Sequence, residues 1–527
     1  MDRADIVIIG SGINALVCGA LLAQKGRKVC MLERNDRPGG CIRTEEITAP
    51  GFKHDVMALS WPLFVTSPGY GALAEALAAE GVRFVEAPYP TASILADGRS
   101  LIMRKDRAQN VAAMNALGPG DGDAYAAALD AVGADAELIF ALLGGKLWSF
   151  KTARLLAHQA LKRGPRAFAA FLGEAMAPAR DWLERDFRSP LIHALYAPWV
   201  LHLGLNPDSS YSGQMARVVA FALEGAGNPV AQGGSSRVVA ALQRIIEKAG
   251  GEVRVNAEVT GVDVQEGKAR GVTIAGGETV RAGKAVIASV TPQALYTRLL
   301  PDSAVPKKIA REAAGYRYGR GDMQIHLALD GPPDWPDPQL GRVHMIHLTD
   351  GIDAVGRAVG EAAHGFLPAD PTVVVCQPNA ADPSRAPDGG ATLWVQLQEL
   401  PRDGQLKGDA AGVLAIPADG RWTEALREAY ADRAVAKIER HAPGLAQRIK
   451  GRKVYSPADL AALNVNLVGG DPYCGDCSLD QFFIWRPLKS TRNHATPVQG
   501  LYHIGAATHP GPGLGGISGF LAAQEVG

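Results

Sequence analysis

Two glycine-rich segments near opposite ends of this 527-residue chain hold the residue types from which a nucleotide site is made. Gly10-Ser11-Gly12-Ile13-Asn14-Ala15 has the spacing G-x-G-x-x-A, and Glu33 follows about 20 residues on. The two glycines permit a tight turn and a close approach of backbone to a pyrophosphate. Ala15 is small enough for a helix to sit against a strand. The start of that helix offers free N–H groups and a partial positive charge to phosphate. A carboxylate at Glu33 can accept hydrogen bonds from a ribose and disfavours a 2′-phosphate, so the ligand is FAD or NAD rather than NADP.

The residues after Glu33 favour the longer of these. Gly39-Gly40 let backbone amides approach more of an extended cofactor, and Arg37 and Arg43 can offer charge-assisted hydrogen bonds to phosphate. Arg34 is placed on the adenine side. Near the other end, a short strand closes at Gly505, and His509-Pro510-Gly511-Pro512-Gly513-Leu514-Gly515-Gly516-Ile517 opens a final helix. A helix start aimed at the pyrimidine edge of a flavin stabilises its anionic reduced ring. FAD is therefore the expected cofactor, with Gly10, Ser11, Gly12, Asn14, Ala15, Glu33, Arg34, Gly39, Gly40, Arg43, Gly505, Gly515, Gly516 and Ile517 as its binding residues. A flavin takes a hydride at N5 from a C–H bond. His509, in the loop beside it, and Asp55, with His54, are the candidate catalytic side chains; Trp485 is either a pocket wall or a core residue.

These residues need a frame. Ile6–Ile9 is a short β-branched run of the kind found in buried parallel strands, Ile13 to about Lys25 reads as a helix, and Lys28–Glu33 as a second strand. A helix is predicted over 237–249, with alternating strands around Val253, Val262 and Val272. Asp97-Gly98 marks a hairpin. The Ala- and Leu-rich stretch 123–185 reads as helical. Ile325-Leu327-Leu329 and Leu393-Val395-Leu397 alternate in period two, with Val343–Ile346 more loosely so, and predict antiparallel strands with one apolar face. Such a sheet under helices makes a deep apolar cavity.

The sequence resembles the phytoene-desaturase-related FAD oxidoreductases, on the branch with carotenoid ketolases. The resemblance is carried by G-S-G-I-N-A…E-R…P-G-G-C-I-R-T-E-E, Gln232-Gly233-Gly234-Ser235, Ser478-Leu479-Asp480-Gln481, Trp485-Arg486-Pro487 and H-P-G-P-G-L-G-G-I-S-G. It implies an α/β fold: a glutathione-reductase-type, Rossmann-like FAD domain with an inserted α+β substrate domain. The FAD domain takes 1–75, 225–300 and 452–527, and the substrate domain 76–224 and 301–451. It also implies an adenine contact from the backbone near Val259, and an extended apolar substrate such as a carotenoid, other isoprenoid or lipid-like molecule. Two alternatives stand beside it: an amine oxidase-like flavoenzyme, and a non-catalytic binder of prenylated proteins on the same fold, as in Rab GDP dissociation inhibitors. One departure is His54, where the family often carries an aromatic before the Asp.

Composition narrows the setting. Apolar residues make up 47% and charged residues 20%, fitting a globular chain with a large core. With 54 basic and 54 acidic residues, no overall attraction to nucleic acid is expected. The six cysteines are too sparse for a disulfide scaffold and suggest a reducing, cytoplasmic setting. Cys474-Gly475-Asp476-Cys477 lacks the further ligands of a zinc site and reads as two loop thiols. No metal is expected, no signal peptide is read, and no second nucleotide turn appears, which leaves oxygen or a quinone as electron acceptor. The segment 144–170 carries several basic residues among apolar ones and no acid from Lys146 to Arg166. It is either a helix that rests on a membrane surface or a solvated face.

Overall fold

The computed structural model describes residues 3–527. Its first sheet has seven strands. Arg3–Ile9 lies at its centre, flanked in parallel by Val29–Leu32 and Thr279–Ala288. Glu252–Arg254 extends one side in parallel, Leu501–His503 pairs in parallel with Thr279–Ala288, and Val259–Gln265 and Lys268–Ile274 add an antiparallel edge. The parallel strands are short and apolar because helices cover them. Val7 and Ile8 are fully buried, and the helices Ile13–Gln24 and Ser236–Lys248 pack one face with Leu16, Val17, Leu242 and Ile246. This sheet draws strands from three distant stretches of chain.

The second sheet also has seven strands, in the order Ile449–Tyr455, Gly321–Leu329, Ala391–Leu400, Val373–Cys376, Val343–Leu348, Tyr89–Ile94 and Ser100–Met103. Neighbours are antiparallel except Val343–Leu348 with Tyr89–Ile94. The strand Ile449–Tyr455 carries residues past 452 into this sheet, beyond the boundary expected from sequence.

Period-two alternation accounts for one face of this sheet. Met323, Ile325, Leu327, Leu393, Val395 and Leu397 form the apolar face and pack on Tyr430, Ala434 and Ile438 of the helix Glu424–His441. The intervening residues Asp322, Gln324, His326, Gln396 and Gln398 are buried as well. The second face is thus polar and turned inward, covered by protein rather than water.

Helices fill the stretch read as helical: Asp121–Ala134, Ala136–Gly144, Phe150–Arg163, Pro165–Ala175 and Ala179–Asp186. With Ser212–Ala226 they build a separate core around Tyr125, Trp182, Tyr196 and Leu201. Among the described residues no helix is long and apolar enough to cross a membrane, and no cluster of metal-ligating side chains occurs.

Candidate active site

The first strand delivers its glycine turn at the carboxyl edge of the sheet. Gly10 has φ +85°, a left-handed conformation that a side chain would strain. Gly12 caps the helix Ile13–Gln24, and no side chain satisfies the first-turn amides. Those N–H groups are therefore open to an anionic ligand.

Glu33 is buried, and its carboxylate is held in place. Oε2 accepts from the Ser11 amide at 3.1 Å and the Ser11 hydroxyl at 2.5 Å, while Oε1 accepts from the Asn35 amide at 2.9 Å. The Gly39 amide donates to Ser11 Oγ at 3.1 Å, tying the second glycine pair to the first. A Cβ on Gly40 would sit 3.3 Å from the Gly12 Cα, so the two glycine segments nearly touch.

Gly12, Ile13, Asn14, Gly39, Gly40, Ser289, Gly505 and Gly513 surround one cavity, with backbone from both ends of the chain. Two backbone bonds tie Glu33 to the chain that follows Glu252–Arg254: the Ala257 amide donates to Glu33 O at 2.8 Å, and the Glu33 amide to Arg254 O at 2.8 Å. Val259 opens the edge strand two residues further on, paired with Ile274. Glycines and uncapped helix amides on this cavity, with a fixed carboxylate held next to them through Ser11, suit an elongated dinucleotide.

The final helix, Ile517–Val526, starts at Gly516, again without a side-chain cap. Its position rests on Ser518, whose hydroxyl lies 2.7 Å from Thr508 Oγ1 and 3.1 Å from His494 Nε2 and accepts from the Gly505 amide at 3.2 Å. Behind Ala506 lies the buried guanidinium of Arg486, donating to the carbonyls of Ala506 and Tyr473 at 2.9 and 2.8 Å.

A second cavity of about 1000 Å³ adjoins the first, sharing Asn14 and Gly513 with it. Leu63, Phe140, Leu155, Met215, Phe221 and Phe482 are among its walls, and Gly515, Gly516 and Ile517 face it rather than the first cavity.

Several residues proposed from sequence occupy other places. Asp55 does not line either cavity. Its Oδ1 accepts from Thr44 Oγ1 at 2.5 Å and the Ser235 amide at 2.8 Å, and its Oδ2 pairs with Arg385 Nη1 at 2.8 Å. Arg385 also binds Asp382 at 2.8 Å, all three fully enclosed, so Asp55 joins pieces of chain rather than facing a ligand. His509 is buried one residue from the cavity wall at Pro510, and enclosure holds it neutral, down at about 3. His54 lies 2.7 Å from Thr48 Oγ1 and stacks edgewise on His326. Arg43 pairs with Asp36 and Glu45, both at 3.4 Å, Arg37 with Glu45 at 3.1 Å, and Arg34 with Glu258 at 3.8 Å. Trp485 is half-buried and lines neither cavity.

Sequence reading missed Asp322, Gln324 and Gln396, which project from the second sheet onto the first cavity, and Asn464 and Asn466 from the loop after it. The signal was present in the alternation: the polar partners of the apolar positions were themselves uncharged or lone acids, unlike a solvated strand face. Cys41 and Cys474 line the same cavity; every cysteine is a free thiol, and burial raises Cys41 to about 11 and Cys474 well above its usual range.

The fold and this groove define a dinucleotide-dependent oxidoreductase. Residues 16–407 match the model of the family described as flavin-containing amine oxidoreductase, and the chain belongs to that family. Its cofactor is FAD, and it is an enzyme. Over its whole length the chain is similar to known proteins. It is 29% identical to pyridine nucleotide-disulfide oxidoreductase domain-containing protein 2 of Rattus norvegicus, covering 99% of this chain and 93% of that one. It is 25% identical to a limonene dehydrogenase polypeptide of Castellaniella defragrans (100% and 95%) and 26% identical to the neurosporene-forming phytoene desaturase of Cereibacter sphaeroides (98% and 93%). Among solved structures it shares the fold of an oxidoreductase from Methanosarcina mazei, at TM-score 0.60 and 16% identity over 99% and 100% of the chains. Wild-type putrescine oxidase bound to putrescine matches at TM-score 0.58 and 15% identity over 99% of each.

Proposed function

We propose that this flavoenzyme oxidises an extended apolar substrate, a carotenoid, other isoprenoid or lipid-like molecule, at a C–H or C–C bond. The observation that carries this reading is the large apolar cavity joined to the cofactor cavity at Asn14 and Gly513. When bound, FAD supplies a hydride acceptor. Glu33 and the amides at Gly12 to Asn14 hold its ribose and phosphates. The aliphatic and aromatic walls orient the substrate and exclude water, and the relatives named for limonene and phytoene fit such a lining.

An amine substrate is disfavoured by charge: the charged side chains on that cavity are Lys146, paired with Glu525 at 3.0 Å, and Lys151, and no carboxylate among its lining residues would hold an ammonium. The helix Phe150–Arg163 and the residues around it border the apolar cavity. Phe150 and Leu161 are each 84% exposed, among Lys151, Arg154, Lys162 and Arg166. We read this surface as resting on a membrane, from which the substrate reaches the cavity. Reduced cofactor is reoxidised by oxygen or a quinone.

The test is anaerobic flavin bleaching by phytoene, limonene and related polyenes, set against putrescine and other amines. Bleaching by an apolar compound supports the reading. Bleaching by amines alone overturns it.

A further inference from the structure

Asp322 is fully buried, yet it has no ionic partner among the described residues. It stands on the inward polar face of the second sheet and lines the cofactor cavity beside Gln324 and Gln396. Both glutamines turn their amide groups to one oxygen: Oδ2 accepts from Gln396 Nε2 at 2.5 Å and from Gln324 Nε2 at 3.3 Å. Oδ1 has no hydrogen-bond partner. An enclosed carboxyl oxygen without a partner is costly unless it carries a proton or meets a ligand. The two cross-strand glutamines fix the carboxyl's orientation and leave that oxygen without a protein partner on a residue that lines the cavity.

We propose that Asp322 is the catalytic acid–base of this site, holding and exchanging a proton through Oδ1 beside the flavin. The inference rests on the flavoenzyme reading above. In a dehydrogenation two neighbouring C–H bonds of the substrate break. One hydrogen would leave with both bonding electrons to the oxidised cofactor, and the other as a proton, its bonding pair becoming the new C=C π bond. Asp322, neutral at rest, would give its Oδ1 proton to the two-electron-reduced cofactor, the O–H pair staying on oxygen, and the carboxylate so formed would take up a proton in exchange for the one the substrate releases.

The surroundings suit this role. Burial pushes the Asp322 carboxyl well above the usual range; the glutamine contacts and the Met323 amide oppose this, and Glu399 adds to it. Glu399 is itself raised to about 7 by burial. The other titratable groups near it are the Tyr473 hydroxyl, the Arg320 guanidinium, committed to Leu205 O at 2.8 Å, and the neutral thiols of Cys41 and Cys474 across the cavity. A carboxyl that burial holds in its neutral form carries a proton it can donate.

Full-length protein loaded with FAD tests this without a known substrate. Infrared difference spectra are taken on photoreduction, in H2O and D2O, for the wild type and Asp322→Asn. The expected result is a protonated-carboxyl C=O band that shifts on flavin reduction and in D2O and is lost in D322N, with FAD still bound at one per chain. The pH dependence of the flavin midpoint potential should also lose one ionisation in the variant. Identical spectra and potentials in the two proteins overturn the role of Asp322 while leaving the flavoenzyme reading intact. A wild type that binds no FAD overturns both. If D322N does not fold, Asp322→Glu replaces it: a displaced band supports the proposal, an unchanged one refutes it.

Discussion

The Gly519 amide donates to the side-chain oxygen of Asn14 at 3.3 Å, joining the last helix to the first. The approach is so close that a Cβ on Gly519 would lie 1.8 Å from the Asn14 carbonyl oxygen. The first helix begins on the cofactor cavity and the last on the apolar cavity beside it, so this contact sets the spacing between the two.

Gly519→Ala should therefore separate the two helices. Overpacking of this kind costs about 1–3 kcal/mol. We expect a lower melting temperature and faster FAD loss, read by differential scanning fluorimetry and by release of flavin fluorescence. A variant as stable as wild type would show that the helices are not held at this spacing.

Glu33→Gln keeps the shape of the side chain and removes its charge. A hydrogen bond to a charged group contributes about 1.5–3 kcal/mol, so FAD affinity should fall roughly 10- to 100-fold. Fluorescence titration of apoprotein measures this. Unchanged affinity would place the ribose elsewhere.

The Arg385 guanidinium sits between Asp55 and Asp382 with no solvent contact. Arg385→Met strands two buried carboxylates and should cost about 3–5 kcal/mol. Urea denaturation should show the loss. The triple replacement of Arg385, Asp55 and Asp382 by apolar residues should recover part of it.

Acidification should weaken the fold between about pH 6.5 and 4. Burial, foremost, holds His54, His202, His326 and His344 down at about 2, 3, 4 and 3, and His347 well below its ordinary value. Their ordinary value is about 6.5, so below it the unfolded chain binds protons that the folded one refuses. Stability is complete above that value and lost as pH falls, by up to about 1.4 kcal/mol per unit for each histidine. The raised carboxyls of Asp322, Glu399 and Asp471 act with the opposite sign, and the five histidines outweigh these three. Urea midpoints at pH 7 and pH 5 check the direction; equal midpoints would contradict it.

If the basic helix meets lipid, Phe150→Glu with Leu161→Glu should reduce binding to anionic vesicles roughly 10-fold or more, given the apolar area each side chain would bury. Co-sedimentation with phosphatidylglycerol vesicles reads the change. The wild-type interaction should weaken as salt rises.

What the sequence disclosed followed the reach of its signals. Gly10, Gly12 and Glu33 act through one strand, turn and helix, and their arrangement is written in adjacent residues. The strand from Gly321 to Leu329 was legible by alternation, but which side its polar residues face depends on the first sheet lying opposite. Asp322 could not be assigned to the cavity from its own neighbours. Asp55 sits beside residues that resemble a cofactor motif, whereas its partner Arg385 lies 330 positions away, so its structural role was invisible. His509 does lie in a loop next to the cavity, but the burial that holds it neutral comes from residues elsewhere in the chain, which its neighbours in sequence do not reveal.

The contact between Asn14 and Gly519 spans 505 positions of chain. At about 5–20 residues per second, a ribosome takes roughly 25–100 s to make the second partner after the first. Throughout that interval the nascent glycine turn has no opposing wall, so the two helix starts can close together on a nucleotide only once Gly519 has emerged.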